Sequence, residues 1–535
     1  MKLGGRVTAV TVFALLSSGL GWAAALPAPA ATTAFTGTWA ASPQSSSRTF
    51  AGQTIRQIVH TSIGGSQVRI QLSNVFGNAP LTIADVHVAK SAGGSSVTAG
   101  TDKQLTFGGQ SSVTVAAGGL AVSDAATYTV DALANLDVSF YVNGTSGPST
   151  VHNQGTQDNY IASGDVSGQT TISASTMGSY YYLMNVDVQN PNAEGAVVTL
   201  GASITDGVGS SQNNNRRWPN DLAVRLSQAG RTVGVLDQGI SGNGLVTGGT
   251  GNSATYRFDR DVLAQPNVKW VIFTDNPVND LNSGDTSVTA SRIVTATQDL
   301  INRAHARGIK FICGTLTPFE GAGPNWNTSV ESQRVAFDNW VRSANNGCDG
   351  YVDMDVATHD PSHPSRYLPS YDLGDHLHAN EAGLQAMANA VNLSLLSTGT
   401  PPPPAPVVSF RAHANGKYVS ADNAGANALI ANRTSIGSWE QFDELDAGNG
   451  NIALRAHANN QIVCADNAGA NPLIANRTAI GGWETFQLLH NADGSVSLKS
   501  LANGKIVTAE NAGANALIAN RTAIGGWEEF DLISS

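Results

Sequence analysis

Charge is scarce in this chain. Asp, Glu, Lys and Arg make up 13% of the 535 residues, and the 40 acids outnumber the 29 Lys and Arg for a formal net charge of −11. No basic cluster stands out. That argues against nucleic acid and anionic membrane surfaces as partners, since both reward clustered positive charge. Cysteine is nearly absent, with Cys313, Cys348 and Cys464 alone. An odd count leaves at least one thiol unpaired within the chain. No Cys or His cluster has zinc-ligand spacing, so no metal is expected, and no motif calls for a cofactor. Beyond the N-terminal stretch no apolar run is long enough to span a bilayer, so integral membrane association is not expected.

What is plentiful is small and polar. Gly alone numbers 57, beside many Ser, Thr and Asn. The length exceeds one compact core and predicts several domains. Residues 1–31 read as a secretory signal. Lys2 and Arg6 form a basic start, residues 7–20 are apolar, and Ala23-Ala24-Ala25 and Ala30-Ala31 offer small-residue cleavage sites. The mature protein is therefore expected to be extracellular. Cys313 ends one strand-like run and Cys348 leads into another; the two could meet if those strands are neighbours, and the pairing is left to geometry that the sequence does not show.

Residues 32–190 are β-rich. Runs at 53–59, 68–72, 113–115 and 136–142 alternate apolar and polar residues between Gly/Ser/Asn/Pro clusters. This predicts an accessory β-sandwich with one face of each strand buried. It is read as scaffold that packs on the next domain or lines its cleft.

Residues 191–398 change pattern. Strand-like runs at 197–200, 233–236, 270–273, 310–312 and 351–354 alternate with helical periodicity at 219–229, 291–307 and 382–396. This predicts an α/β/α domain with a five-stranded parallel sheet, its sites at the C-terminal ends of the strands. Four features fall in order along this domain. Gly201-Ala202-Ser203 ends the first run. Ser241-Gly242-Asn243 follows the second, Val278-Asn279-Asp280 the third, and Asp375-His376-Leu377-His378 comes near the end. A serine needs a base to attack an ester carbonyl, and a carboxylate three residues before a histidine can hold that ring in the right tautomer. Ser203, His378 and Asp375 are the candidate triad. His376 competes for the base, but residues adjacent in sequence tend to point apart, which disfavours its pairing with Asp375.

These motifs resemble the SGNH (GDSL-type) hydrolase superfamily over about 197–396. Arg217-Trp218-Pro219, the phrase Arg257-Phe258-Asp259-Arg260-Asp261 and Thr315-Leu316-Thr317-Pro318-Phe319 are similar to its secreted carbohydrate-esterase branch, which includes acetylxylan esterases. The resemblance assigns the catalytic histidine to His378. It implies an oxyanion hole made of the Ser203 N–H, the Gly242 N–H and the Asn279 side chain. Two positions depart from the pattern. Ala202 stands where the family has Asp, and Pro277 where it has Gly. Because Asp375 supplies the triad carboxylate, Ala202 is expected to affect loop order rather than abolish activity. Pro277 lacks an N–H and fixes φ, so a different seating of the Asn279 loop is expected.

Residues 399–406 form a Pro-rich linker. Residues 407–535 hold three repeats, each with Asn-Ala-Gly-Ala-Asn, Leu-Ile-Ala-Asn-Arg-Thr and Trp-Glu-x-Phe. They predict a β-trefoil and resemble fascin-like trefoils, which implies carbohydrate binding. Trp439, Trp483 and Trp527 are read as core. Asp422, Asp466 and Glu510 hold matching positions, and Cys464 is read as a free, buried thiol. The expected function is a secreted serine esterase that deacetylates a polysaccharide such as xylan. A short-chain lipid esterase or lipase, and a decayed hydrolase that only binds polysaccharide, are the alternatives. The ligand is a polysaccharide or small ester in each case, and oligomeric state is not legible.

Overall fold

The computed structural model describes residues 34–397, 405–447, 451–477 and 480–534. The expected signal at 1–31 and most of the expected linker at 399–406 lie outside the described residues. The chain divides into two compact units at residue 398.

The first unit begins with two antiparallel sheets. One runs Phe35–Ala40, Leu183–Gln189, Gly65–Ser73 and Ala126–Val130, with Leu120–Val122 beside Gly65–Ser73. The other is built on Ala51–Thr61, Ala134–Thr145 and Leu81–Gly93. Ile55, Val59 and Val138 of the second sheet share one core with Val68, Ile70 and Val186 of the first. No helix precedes Ser203 among the described residues.

The expectation of one buried face per strand is corrected. In Ala51–Thr61 both faces are buried over residues 54–59. The second face is closed because the Arg56 guanidinium reaches out of it to chain segments lying across the sheet. It donates to the carbonyls of Ser95 at 2.7 Å, Ser167 at 3.1 Å and Gln169 at 2.6 Å, and to Ser139 Oγ at 2.7 Å. Asp137 is buried on this same face.

The α/β domain follows. Its five strands, in the order Val233–Gly239, Gly195–Gly201, Val268–Phe273, Lys310–Gly314 and Gly350–Val352, are all parallel. Side chains alternate between two cores, as a sheet covered on both faces requires. Val198, Leu200, Val271, Phe273 and Phe311 enter one, with Ala290–His305 and Thr328–Arg342 packed over them. Val197, Val235, Trp270 and Ile312 enter the other, under Trp218–Gln228 and Glu381–Ala390. The helix Thr328–Arg342 is not among the segments that periodicity predicts, because its apolar positions are few and Arg334 and Asp338 are buried in it. The expected helix at 382–396 breaks after Ala390 and resumes as the short turn Leu393–Leu396. Cys313 and Cys348 form a disulfide, as neighbouring strands allow.

The β-rich region and the α/β domain meet without side chains between them at one point. A side chain at Gly234 would begin 2.0 Å from the Gly37 carbonyl, and one at Gly37 would strike Leu236 at 2.8 Å. Only glycine permits this approach.

In the second unit, strands Val407–Ala412, Phe442–Asp446, Ile452–Ala456, Phe486–His490, Val496–Ser500 and Phe530–Ser534 pair into a closed ring of six. Each repeat adds a hairpin, giving a trefoil-like arrangement. Phe442, Phe486, Phe530, Leu429, Leu473 and Leu517 form the core. The repeated tryptophans do not, contrary to expectation: Trp483 and Trp527 are each 39% exposed. Arg433 lies over the Trp439 ring at 5.2 Å and Arg477 over Trp483 at 5.9 Å, so the indoles are held at the surface by cations. Those arginines also pair with Asp422 at 3.0 Å and Asp466 at 2.9 Å, and Arg521 pairs with Glu510 at 2.9 Å. Cys464 is free and buried, and its thiol donates to Asn476 Oδ1 at 3.2 Å.

Burial pushes the Asp137 carboxyl up to about 7, against the pull of Ser91 and Arg56. An unfolded chain releases this proton near pH 3.9. Between these values the folded state holds a proton that the unfolded state has lost, so rising pH destabilises the fold until both are ionised. Thermal unfolding should show a fall in Tm from pH 5 to pH 7.5 that is smaller in Asp137→Asn.

Candidate active site

The site is built on the exit from the strand Gly195–Gly201, where the chain turns at once into the short helix Ser203–Asp206. The turn demands glycine. A side chain at Gly201 would stand 2.1 Å from Thr205 Oγ1 and 2.3 Å from Asp275 Oδ1. The turn also leaves backbone N–H groups unserved, and Ala202 offers no side-chain cap. Asp275, at the end of the neighbouring strand, supplies the missing acceptor. Its Oδ1 accepts from the Ala202 N–H at 3.0 Å, and its Oδ2 accepts from the Ile204 N–H at 2.9 Å. Thr205 and Thr274 hydroxyls donate to the same carboxylate at 2.6 and 2.8 Å. Between these clamped neighbours, the Ser203 N–H has no acceptor among the described residues.

Arg257 holds the turn from behind. It is buried and donates to the carbonyls of Gly201 at 3.0 Å and Gln238 at 2.8 Å, so it ties the ends of two adjacent strands together. It also reaches Asn243 Oδ1 at 3.1 Å and Ser42 Oγ at 2.9 Å.

His378 stands over Ser203. Its Nε2 lies 2.8 Å from Ser203 Oγ, and its Nδ1 lies 2.7 Å from Asp375 Oδ2. Asp375 is itself fixed, since its Oδ1 accepts from the backbone N–H groups of Leu377 at 3.0 Å and His378 at 2.9 Å. Burial works against the ionised Asp375, but the hydrogen bonds from His378 and the backbone outweigh it and hold the carboxyl below its usual range. His376 is turned away. It adopts a left-handed backbone with φ of 62°, and its Nδ1 pairs with Asp372 at 2.5 Å.

Gly242, with φ of 76°, takes a conformation suited to glycine, and its N–H has no acceptor among the described residues. Asn279 lies in the helix Asn276–Leu281, where its Nδ2 donates one hydrogen to the Asn243 carbonyl at 3.1 Å. The second hydrogen of that amide remains. Pro277, where the family has Gly, is accommodated in a helix. It falls in the first turn of this helix, where an N–H would lack a partner anyway.

Sequence reasoning missed the network behind the turn. Asp206 accepts from the Ser241 N–H and Oγ, both at 2.7 Å, and so holds the residue preceding Gly242. On its other side His152, from the β-rich region, places Nε2 at 3.0 Å from Asp206 and Nδ1 at 3.0 Å from the Ser42 carbonyl. Both ring nitrogens face acceptors, so both carry protons and the ring is an imidazolium. Burial opposes that charge, and Asp206 overcomes it. Asp237, buried nearby, is pushed up to about 7 by desolvation despite Arg217. Asp275 was findable, since it ends the apolar run 270–273 where sites are expected. His152 left no local signal.

A hydroxyl hydrogen-bonded to a carboxylate-held imidazole, beside unengaged N–H groups at the end of a parallel strand, is equipped for acyl transfer through a serine. The site is thus that of a serine hydrolase, and comparison with known proteins narrows the class. Residues 199–386 match the model of the GDSL-like Lipase/Acylhydrolase family. The segment is a GDSL-like acylhydrolase domain, and the protein is an ester-hydrolysing enzyme. Among solved structures, a GDSL-like lipase from Bacteroides thetaiotaomicron is 17% identical, with 38% of this chain and 88% of that one covered at a TM-score of 0.28. An alpha/beta hydrolase enzyme from the metagenome of Lake Arreo is 23% identical, covering 38% and 95% at a TM-score of 0.30. The designed 3-fold symmetric protein ThreeFoil is 22% identical, covering 24% and 97% at a TM-score of 0.23. No curated protein matches the chain.

Replacing Asp275 by Ala frees the N–H groups on both sides of Ser203 and lets the turn drift. Displacement of this order costs about 10²-fold in rate. Steady-state hydrolysis of a short-chain synthetic ester should show that loss in kcat, with KM changed little.

Proposed function

We propose that the protein is a secreted serine esterase that removes acetyl groups from a polysaccharide such as xylan through an acyl-enzyme on Ser203. The observation that carries this reading is the continuous chain from Asp375 through His378 to Ser203 Oγ at 2.7 and 2.8 Å. In this mechanism Ser203 Oγ attacks the ester carbonyl while His378 Nε2 takes its proton. Asp375 holds the tautomer and stabilises the imidazolium. The oxyanion forms against the Ser203 N–H, the Gly242 N–H and the free hydrogen of the Asn279 amide. His378 gives the proton to the leaving sugar oxygen as the C–O bond breaks, and water repeats the sequence on the acyl-enzyme to release acetate.

Three features support the finer parts of the proposal. The Cys313–Cys348 disulfide suits an oxidising compartment and hence secretion after removal of residues 1–31. The two antiparallel sheets of residues 32–190 are read as a β-sandwich that braces the catalytic domain, residues 191–398. The C-terminal repeats, read as a β-trefoil, expose Trp483 and Trp527, and each repeat pairs an arginine with an acid, a combination that stacks on sugar rings and bonds their hydroxyls. A shallow cavity of about 350 Å³ lies at Arg433, Ile436, Trp439 and Glu440 of the first repeat.

Acetate release from acetylated xylan tests the assignment. Wild-type protein should release acetate and Ser203→Ala should release none. Hydrolysis confined to short-chain lipid esters would overturn the polysaccharide reading and leave the esterase. Asn279→Ala removes one oxyanion donor and should cost about 2.7–4 kcal/mol in the transition state, or 10²–10³ in kcat.

A further inference from the structure

The second face of the N-terminal sheet is not closed everywhere. A cavity of about 560 Å³ opens on it, within the range of roughly 300–1,000 Å³ typical of small-molecule sites. Its walls come from two parts of the first unit. His60, Asn135, Gln157 and Tyr160 belong to the β-rich region, and Asn213 and Asn215 to the loop that follows the helix bearing Ser203.

The chemistry of the lining is polar and neutral. Lys90 and Asp131 are the only residues of fixed opposite charge, and they neutralise each other at 2.6 Å. Burial holds His60 below the usual histidine range, so its ring is uncharged. Its Nδ1–H donates to Asn135 Oδ1 at 2.7 Å, which leaves Nε2 as an acceptor. Asn215 Nδ2 donates to the same Asn135 oxygen at 3.2 Å, and the Asn135 amide hydrogens have no acceptor among the described residues. The Tyr160 hydroxyl likewise has no hydrogen-bond partner among the described residues. One face therefore presents an acceptor, a pair of donors and a phenol, with no net charge.

The cavity is held open rather than left by chance. Leu133, Asn213 and Asn215 all line it with left-handed backbone, at φ of 51°, 66° and 52°. Such strain in a leucine persists only where the surroundings enforce it, and it gathers at functional sites. Leu133 is pinned against the core of the α/β domain. Asn213 is fixed by Gln157 at 2.8 Å and by the N–H and carboxylate of Asp158, both at 2.7 Å. At the mouth a side chain on Gly94 would begin 3.9 Å from the Tyr160 hydroxyl, and one on Gly93 would meet nothing.

We propose that this cavity, formed between the outer face of the N-terminal sheet and the 207–217 loop, binds a neutral oligosaccharide. Uncharged polyhydroxylated rings match a lining of amides, a neutral imidazole and a phenol. The site is separate from Ser203, and its occupancy does not depend on ester hydrolysis.

Binding is measured on the full-length protein with unesterified xylohexaose, cellohexaose and mannohexaose, and with oligogalacturonate as the charged counterpart. At least one neutral hexaose should bind saturably, and oligogalacturonate more weakly. Tyr160→Phe removes only a hydroxyl and should weaken that binding about two- to tenfold. Gly94→Asn, a residue that accepts positive φ, should narrow the mouth and weaken it further while leaving hydrolysis of a small synthetic ester unchanged. No binding by any neutral hexaose overturns the proposal. Binding that survives both variants unchanged overturns it too, since the sugar would then be held by the C-terminal repeats.

Discussion

The architecture depends on how the strand Gly195–Gly201 ends. A parallel strand that stops and turns outward must abandon its ladder, and its backbone groups then need partners in a buried, low-dielectric place. Here side chains provide them from three directions. Arg257 takes the Gly201 carbonyl, Asp275 takes the N–H groups of Ala202 and Ile204, and Asn276 donates to Gly201 as well. The Ser203 N–H, between these two served groups, has no acceptor among the described residues. A turn whose N–H groups on either side of Ser203 are held by side chains keeps the Ser203 N–H itself fixed and available, which the proposed oxyanion role requires.

The same clamp explains how Ala202 is tolerated. A carboxylate is needed near this turn because the N–H groups on both sides of Ser203 must be served, but it need not come from the turn itself. Asp275 delivers it across one strand spacing. The departure at Pro277 is absorbed in a similar way, by lying in the first turn of a helix where no N–H is required.

The N-terminal sheets are more than a neighbour of the catalytic domain. Strand Phe35–Ala40 approaches Val233–Gly239 at the Gly37–Gly234 contact, Ser42 reaches Arg257, and His152 pairs with Asp206. Asp206 in turn holds Ser241, one residue before Gly242. The loop that carries Gly242 is thus supported by a histidine from another part of the chain. That support also carries a buried charge, compensated by an ion pair and fully hydrogen-bonded, which is the condition under which such charges are tolerated.

By itself the sequence determined the alternating strands and helices of 191–398, the Ser203, His378 and Asp375 set, and the threefold repeat. Each is a local signal: an apolar run ended by glycine, a three-residue spacing, a recurring phrase. Tertiary structure decided what depends on contacts between distant segments. Periodicity marks Trp483 and Trp527 as apolar, yet they stand at the surface, because the phenylalanines three residues later fill the space on the axis. It marks one face of 53–59 as exposed, yet Arg56 closes that face by reaching segments near Ser95 and Ser167. His152, Asp275 and Arg257 gain their roles only when strands far apart in sequence are laid side by side. Hydrogen bonding to a turn is set by position in space, and no spacing along the chain encodes it.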